Sequence, residues 1–472
     1  MSRHPVEQAS TTPGLPLSVG MAETLELAGV RRHRKALDRR SMIVVAWSIA
    51  LAALVAPVAR LLVWLIALVT NLAFYGRLSL QPVGPAGHAL GLWVVLVPVA
   101  GSVLVGLIAR FGSKAIRGHG IPEAMEQILT NDSRIPMRMT FLKPLSAAIA
   151  IGTGGPFGAE GPIIATGAAL GSQLGQVIHV SPPERKTLLA AGAVAGMTAI
   201  FATPFSAVLL AIELLVFEFR PRSFIPVTAA ALTSIFLRPF LFGTETVFHV
   251  PPLPTASGFA LVAYGVMGLV LGLAAVGISR SIYFIEDLFE KLPFHWMWWP
   301  AVGGLVVGLV GAVAPETMGV GYTNIDRILD GHFVGAALAA FCALKFLSWS
   351  IALGSGTSGG TLAPIFTIGG GLGVLAGQAM QAIVPAAGID LRMAGLIGMA
   401  ATFAGASRAL FASVVFALEI TGQFHTLMPL LAGCTAAFVA SALTMHTTIM
   451  TEKLARRGHH VPNEYVAPGH QG

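Results

Sequence analysis

Charge is scarce in this sequence. Of its 472 residues only 11% are Asp, Glu, Lys or Arg, while 55% are hydrophobic. A water-soluble domain carries about 25% charged residues, so a soluble globular fold is excluded. Cysteine is nearly absent. Cys342 and Cys434 each stand alone in an apolar run, which leaves two buried thiols and no disulfide framework. The metalloprotease pattern HExxH is missing and no Cys/His/Asp cluster stands at metal-ligand spacing, so no metal or cofactor is expected and the chain is not read as an enzyme. The first 41 residues are polar and lack the apolar core of a signal peptide.

What the chain has in abundance is apolar length. Residues 42–69 contain a single charge, Arg60, and a span needs roughly 20 apolar residues. Such runs recur throughout, and the expected class is an all-α polytopic membrane protein. The net charge of +7 gathers at the flanks, in "RRHRKALDRR" (31–40) and "EKLARRGHH" (452–460). Basic residues beside apolar runs favour the cytoplasmic side, so both termini are expected in the cytoplasm, the number of crossings even, and the location the cell (inner) membrane. The same flanks account for the basic balance without a nucleic-acid partner.

Glycine and proline interrupt the apolar runs at intervals too short for simple spans, and the interruptions repeat. "KPLSAAIAIGTGGPFGAEGPIIATG" (143–167) and "KFLSWSIALGSGTSGGTLAPIFTIG" (345–369) align at an offset of 202 residues, pairing Lys143 with Lys345, Ser146 with Ser348 and Pro162 with Pro364. The register persists through "GMTAIFA" (196–202) and "GMAATFA" (398–404). After a shift of four it continues into "VLLAIEL" (208–214) and "VVFALEI" (414–420). The expected organisation is therefore a cytoplasmic tail (1–41), a first transmembrane half (42–242), a second (243–450) and a short cytoplasmic tail (451–472).

Two homologous halves with broken helices are the pattern of transporters and channels, whose sites lie at the repeat interface. Non-helical backbone at that depth lines a cavity or lies buried in protein. The segments 152–162 and 354–364 are expected to lead into helices starting near Gly161 and Ala363. Two helix N-termini aimed at one position make an anion site. The knots hold no Lys or Arg, and binding without a full cation stays weak enough for release. A third knot, "GHGIPEAME" (118–126), has the counterpart "GVGYTNIDR" (319–327).

These knots resemble the CLC family of chloride channels and proton–chloride exchangers, whose signatures GSGIP, GxEGP and GGxFAP stand here as "GHGIP" (118–122), "GAEGP" (158–162) and "GGTLAP" (359–364). The resemblance runs from about residue 42 to 457. It implies an antiparallel (inverted) double repeat with broken helices meeting at a midplane anion site, and a homodimer with one pore per subunit. It also implies chloride or a similar small anion as the bound substrate. The family's cytoplasmic CBS domains are not seen. By the resemblance Glu160 is the gating glutamate, able to occupy an anion site and to leave it when protonated. Its second-half equivalent is the uncharged Leu362. The anion site is expected from Gly158, Ala159, Glu160 and Gly161, from Thr361, Leu362 and Ala363, and from Gly118, His119, Gly120, Ile121 and Pro122.

Three departures stand out. His119 replaces the family's serine, and three roles stay open for it: binding the anion, sensing pH, or bonding a carbonyl. Met450 aligns with the family's pore tyrosine and offers no donor. Leu214 stands where exchangers carry a second, inner glutamate, next to Glu213, which matches Glu419 and suits a helix-end role. Leu214 and Met450 lean toward channel-like or weakly coupled conduction. Proton–chloride exchange is the alternative, and fluoride export a more distant one.

Overall fold

The computed structural model describes residues 38–459 and 461, apart from 245, 246, 249 and 332. Most of the expected N-terminal tail (1–41) and the end of the C-terminal tail (451–472) lie outside the described residues. Helix α1 already begins at Arg39, where the Asp38 carboxylate accepts from the Ser41 amide at 2.8 Å.

The first half comprises α1 (Arg39–Tyr75), α2 (Leu96–Phe111), α3 (Ile121–Thr130), α4 (Arg138–Gly152), α5 (Glu160–Val177), α6 (Pro182–Phe201), α7 (Pro204–Ala211) and α8 (Pro221–Phe242). The second half repeats the series as α9 (Gly258–Glu290), α10 (Trp299–Val313), α11 (Tyr322–Leu329), α12 (Gly335–Gly354), α13 (Leu362–Ile383), α14 (Leu391–Ser407), α15 (Leu410–Thr421) and α16 (Leu427–Thr444). A short α17 (Glu452–Arg456) follows. Among the described residues eight helices are long and apolar enough to cross a membrane, and β-pairing is confined to two isolated bridges.

Packing repeats with the sequence. In the first half α5 lies on α6, α1 on α8 and α6 on α8; in the second, α13 lies on α14, α9 on α16 and α14 on α16. Helices pack this closely in lipid where small residues let backbones meet. A methyl on Gly167 of α5 would lie 2.1 Å from the Gly192 carbonyl of α6, and one on Gly369 of α13 2.7 Å from the Gly398 carbonyl of α14. The halves join through equivalent elements, α2 against α10 and α7 against α15, as a pseudo-two-fold relation between inverted repeats requires. Large apolar side chains such as Phe236, Phe240, Val262 and Leu273 point outward from this core.

Helices α5 and α13 start at Glu160 and Leu362, one residue earlier than the prolines suggested. Pro162 and Pro364 still fall in the first turn, where a missing N–H costs no hydrogen bond.

Candidate functional site

The knots between helices converge and are stitched to one another by backbone. Gly158 and Gly360 exchange N–H···O bonds of 3.1 and 3.0 Å. Gly118 donates to Thr357 at 3.2 Å and accepts from Gly359 at 3.4 Å. The knots of both halves therefore meet at one place, with the N-termini of α3, α5 and α13 around it. Only glycine permits the crossing: a methyl on Gly161 would lie 2.0 Å from the His119 carbonyl oxygen, and one on Gly120 2.3 Å from that of Gly161.

Glu160 opens α5 and is fully buried. Its carboxylate folds back over Gly158, where a side chain would occupy the same space, and it stands where a methyl on Gly360 of the opposite half would meet it at 2.8 Å. Neither carboxylate oxygen completes a hydrogen bond within the protein. The groups that face it are its own amide, the Ala363 amide at the start of α13, and the Tyr322 hydroxyl. Ala159, Leu362 and Ala363 are buried around it, as is Thr361, whose hydroxyl has no partner. Glu160 and the α13 N-terminus thus face one another.

The third knot departs from expectation in one respect. Gly120 caps α3, but its amide donates to Glu123 at 2.6 Å, so this N–H is turned to its own helix and is not free for an anion. Glu123 sits at the third helical position, where a carboxylate reaches back to the cap. That leaves the Ile121 end of α3, with Ile121 and Pro122 buried. The His119 ring is buried, its Nδ1 has no partner, and Glu123, Lys453 and Lys143 stand around it. Lys453 of α17 lies 3.6 Å from Glu123. Met450 is fully buried on the turn before α17; its neighbour Ile449 is held by the Ala406 carbonyl at 3.0 Å and the Tyr283 hydroxyl at 2.7 Å.

Two buried lysines beside the knots are held by carbonyls. Lys143 donates to Ile116 and Gly118, both at 2.8 Å, and its repeat partner Lys345 donates to Thr317 at 2.8 Å and Gly319 at 3.2 Å. Each fully buried lysine pins the loop before α3 or α11, which explains why both appear in the repeat. Residues 356–360, "GTSGG", spell a GxSxG pattern, but Ser358 bridges Gly118 and its hydroxyl accepts from Ser146 at 3.2 Å, which makes it part of the crossing between knots.

Tyr322, Lys143 and Lys345 escaped the sequence reading as site residues. The signal for Tyr322 was present: in the alignment of 118–126 with 319–327 it stands opposite Ile121.

The sequence profile described as voltage gated chloride channel matches residues 100–442. The chain belongs to this family, the CLC family. A protein named ClcB-like from Ralstonia nicotianae, called a chloride channel protein, is 28% identical over 375 residues, covering 78% of this chain and 87% of its own. The H(+)/Cl(-) exchange transporter ClcA of Klebsiella pneumoniae is 29% identical over 407 residues, covering 80% and 84%. Among solved structures, a slow cyanobacterial Cl-/H+ antiporter superposes with a TM-score of 0.78 at 20% identity, covering 89% of this chain and 98% of its own. A CLC-type fluoride/proton antiporter gives 0.68 at 20% identity, covering 85% and 95%. Both structural likenesses concern the fold. The chain is thus a multi-pass membrane protein of the CLC fold, and its class of activity is CLC-family anion transport.

Proposed function

We propose that this protein conducts chloride across the cell membrane in a channel-like or weakly proton-coupled manner, gated by Glu160. The observation that carries the reading is the carboxylate of Glu160 lodged between the α5 and α13 N-termini without a completed hydrogen bond. An anionic side chain there competes with a dissolved anion for the same N–H groups. Protonation removes its charge and its claim on the site, so the carboxylate leaves and an anion enters. Leu214, buried in the turn after α7, supports weak coupling, since a leucine relays no proton. A homodimer with one pore per subunit and both termini in the cytoplasm complete the proposal.

Proton–chloride exchange is the second reading. It is supported by the ClcA relatives, which are named as exchange transporters at 28–29% identity. One measurement separates the two: chloride flux in reconstituted vesicles with a pH electrode recording in parallel. Channel-like conduction moves chloride down its gradient with little or no uphill proton movement. A fixed proton-to-chloride ratio sinks it and establishes the exchanger.

A further inference from the structure

Tyr322 is a buried donor that the gating scheme above does not employ. It opens α11, and its ring stands edge-on to Phe201 at 6.0 Å and to Phe248 at 5.8 Å between centroids; Phe201 in turn meets Phe416 at 5.3 Å. Part of the residue lines a cavity of about 480 Å³ that also touches Ala159, the chain neighbour of Glu160. The hydroxyl oxygen is buried, has no completed hydrogen bond, and faces the Glu160 carboxylate, whose two oxygens are in the same condition. A phenol donates and a carboxylate accepts, and leaving either buried and unpaired is costly. The adjacent Asn324 amide is engaged by the Glu316 carbonyl at 2.8 Å and does not compete. The aromatic wall fixes where the hydroxyl points, and what lies there is the position shared by the carboxylate and the helix N-termini.

We propose that the Tyr322 hydroxyl is a side-chain donor to that position: it holds the Glu160 carboxylate while the gate is shut, and donates to the permeating anion once the carboxylate has left. The proposal rests on the gating role of Glu160. It supplies a neutral side-chain donor at that position. A phenol suits the task because it binds without a full charge, leaving the anion free to move on.

The test uses the full-length chain and four forms: wild type, Tyr322→Phe, Glu160→Ala, and the double variant. Chloride binding is measured by calorimetry and chloride efflux from liposomes at one fixed pH. In the wild-type background the loss of the hydroxyl weakens the competitor, so Tyr322→Phe raises efflux. In the Glu160→Ala background it removes a donor to chloride, so affinity falls by roughly ten-fold, the worth of one hydrogen bond. A ring that only fills space gives no change, or the same sign in both backgrounds, and either result overturns the proposal. Failure of the gate itself is read separately: Glu160→Ala alone then leaves efflux at the wild-type level. The two Glu160→Ala forms still show whether the hydroxyl binds chloride.

Discussion

Glu213 and Glu419 cap each other's halves. The Glu213 carboxylate, just past the end of α7, accepts from the Phe411 and Ala412 amides of α15 at 3.0 and 2.9 Å; Glu419 of α15 accepts from the Phe205 and Ser206 amides of α7 at 3.0 and 2.8 Å. Two otherwise orphaned N–H groups per helix are satisfied, and each carboxylate lies at the positive end of the partner helix. The repeat thus builds its own central joint, with the same acidic residue used twice.

Glu213→Ala and Glu419→Ala should therefore destabilise alike, each by about 1–2 kcal/mol, the usual cost of a lost cap. Thermal unfolding in detergent measures this, and anion selectivity should stay unchanged. A Glu213 variant that altered proton movement without lowering the melting temperature would assign that carboxylate to a proton path instead.

Gly161→Ala should remove conduction. Its methyl meets the His119 carbonyl at 2.0 Å and the Gly360 Cα at 2.9 Å, all backbone, so no side chain can turn away. Overpacking of this kind costs about 1–3 kcal/mol, and relief by spreading the knots separates the N–H groups that face the anion. The check is chloride flux per correctly folded protein, monitored by size-exclusion chromatography. Wild-type flux would show that the knots tolerate separation.

His119 should contribute little to pH sensing. A protonated ring there is a third cation beside Lys143 and Lys453, in a buried place with one opposing carboxylate, Glu123. In a Glu160→Gln background, adding His119→Ser should leave the pH profile of chloride binding between about pH 6 and 8 unchanged, since an unperturbed histidine titrates near 6.5. A profile flattened by the second substitution makes His119 the pH sensor.

The repeat was legible because Lys143 and Pro162 recur at one offset and Glu213 recurs after a shift of four, and the knots because glycine and proline cannot continue a helix. Glu160 was legible as a lone carboxylate among them. What was hidden depends on contacts across the repeat. The fate of the Gly120 amide turns on Glu123 folding back three residues, and a glutamate at that position equally suits a solvated first turn. Tyr322 lies 162 positions from Glu160 in the chain, and nothing local says which way its ring faces. The lysines were visible only as aligned letters, since the carbonyls they bind, on Ile116, Gly118, Thr317 and Gly319, carry no sequence mark.

The central claim is that the Glu160 carboxylate occupies the anion's place until a proton removes its charge. Chloride efflux from liposomes carrying wild type or Glu160→Gln, compared at acidic and neutral pH, tests it most directly. The account predicts wild-type efflux that rises on acidification, and Glu160→Gln efflux that is high and flat across the same range. A Glu160→Gln protein that keeps the wild-type pH dependence would contradict it.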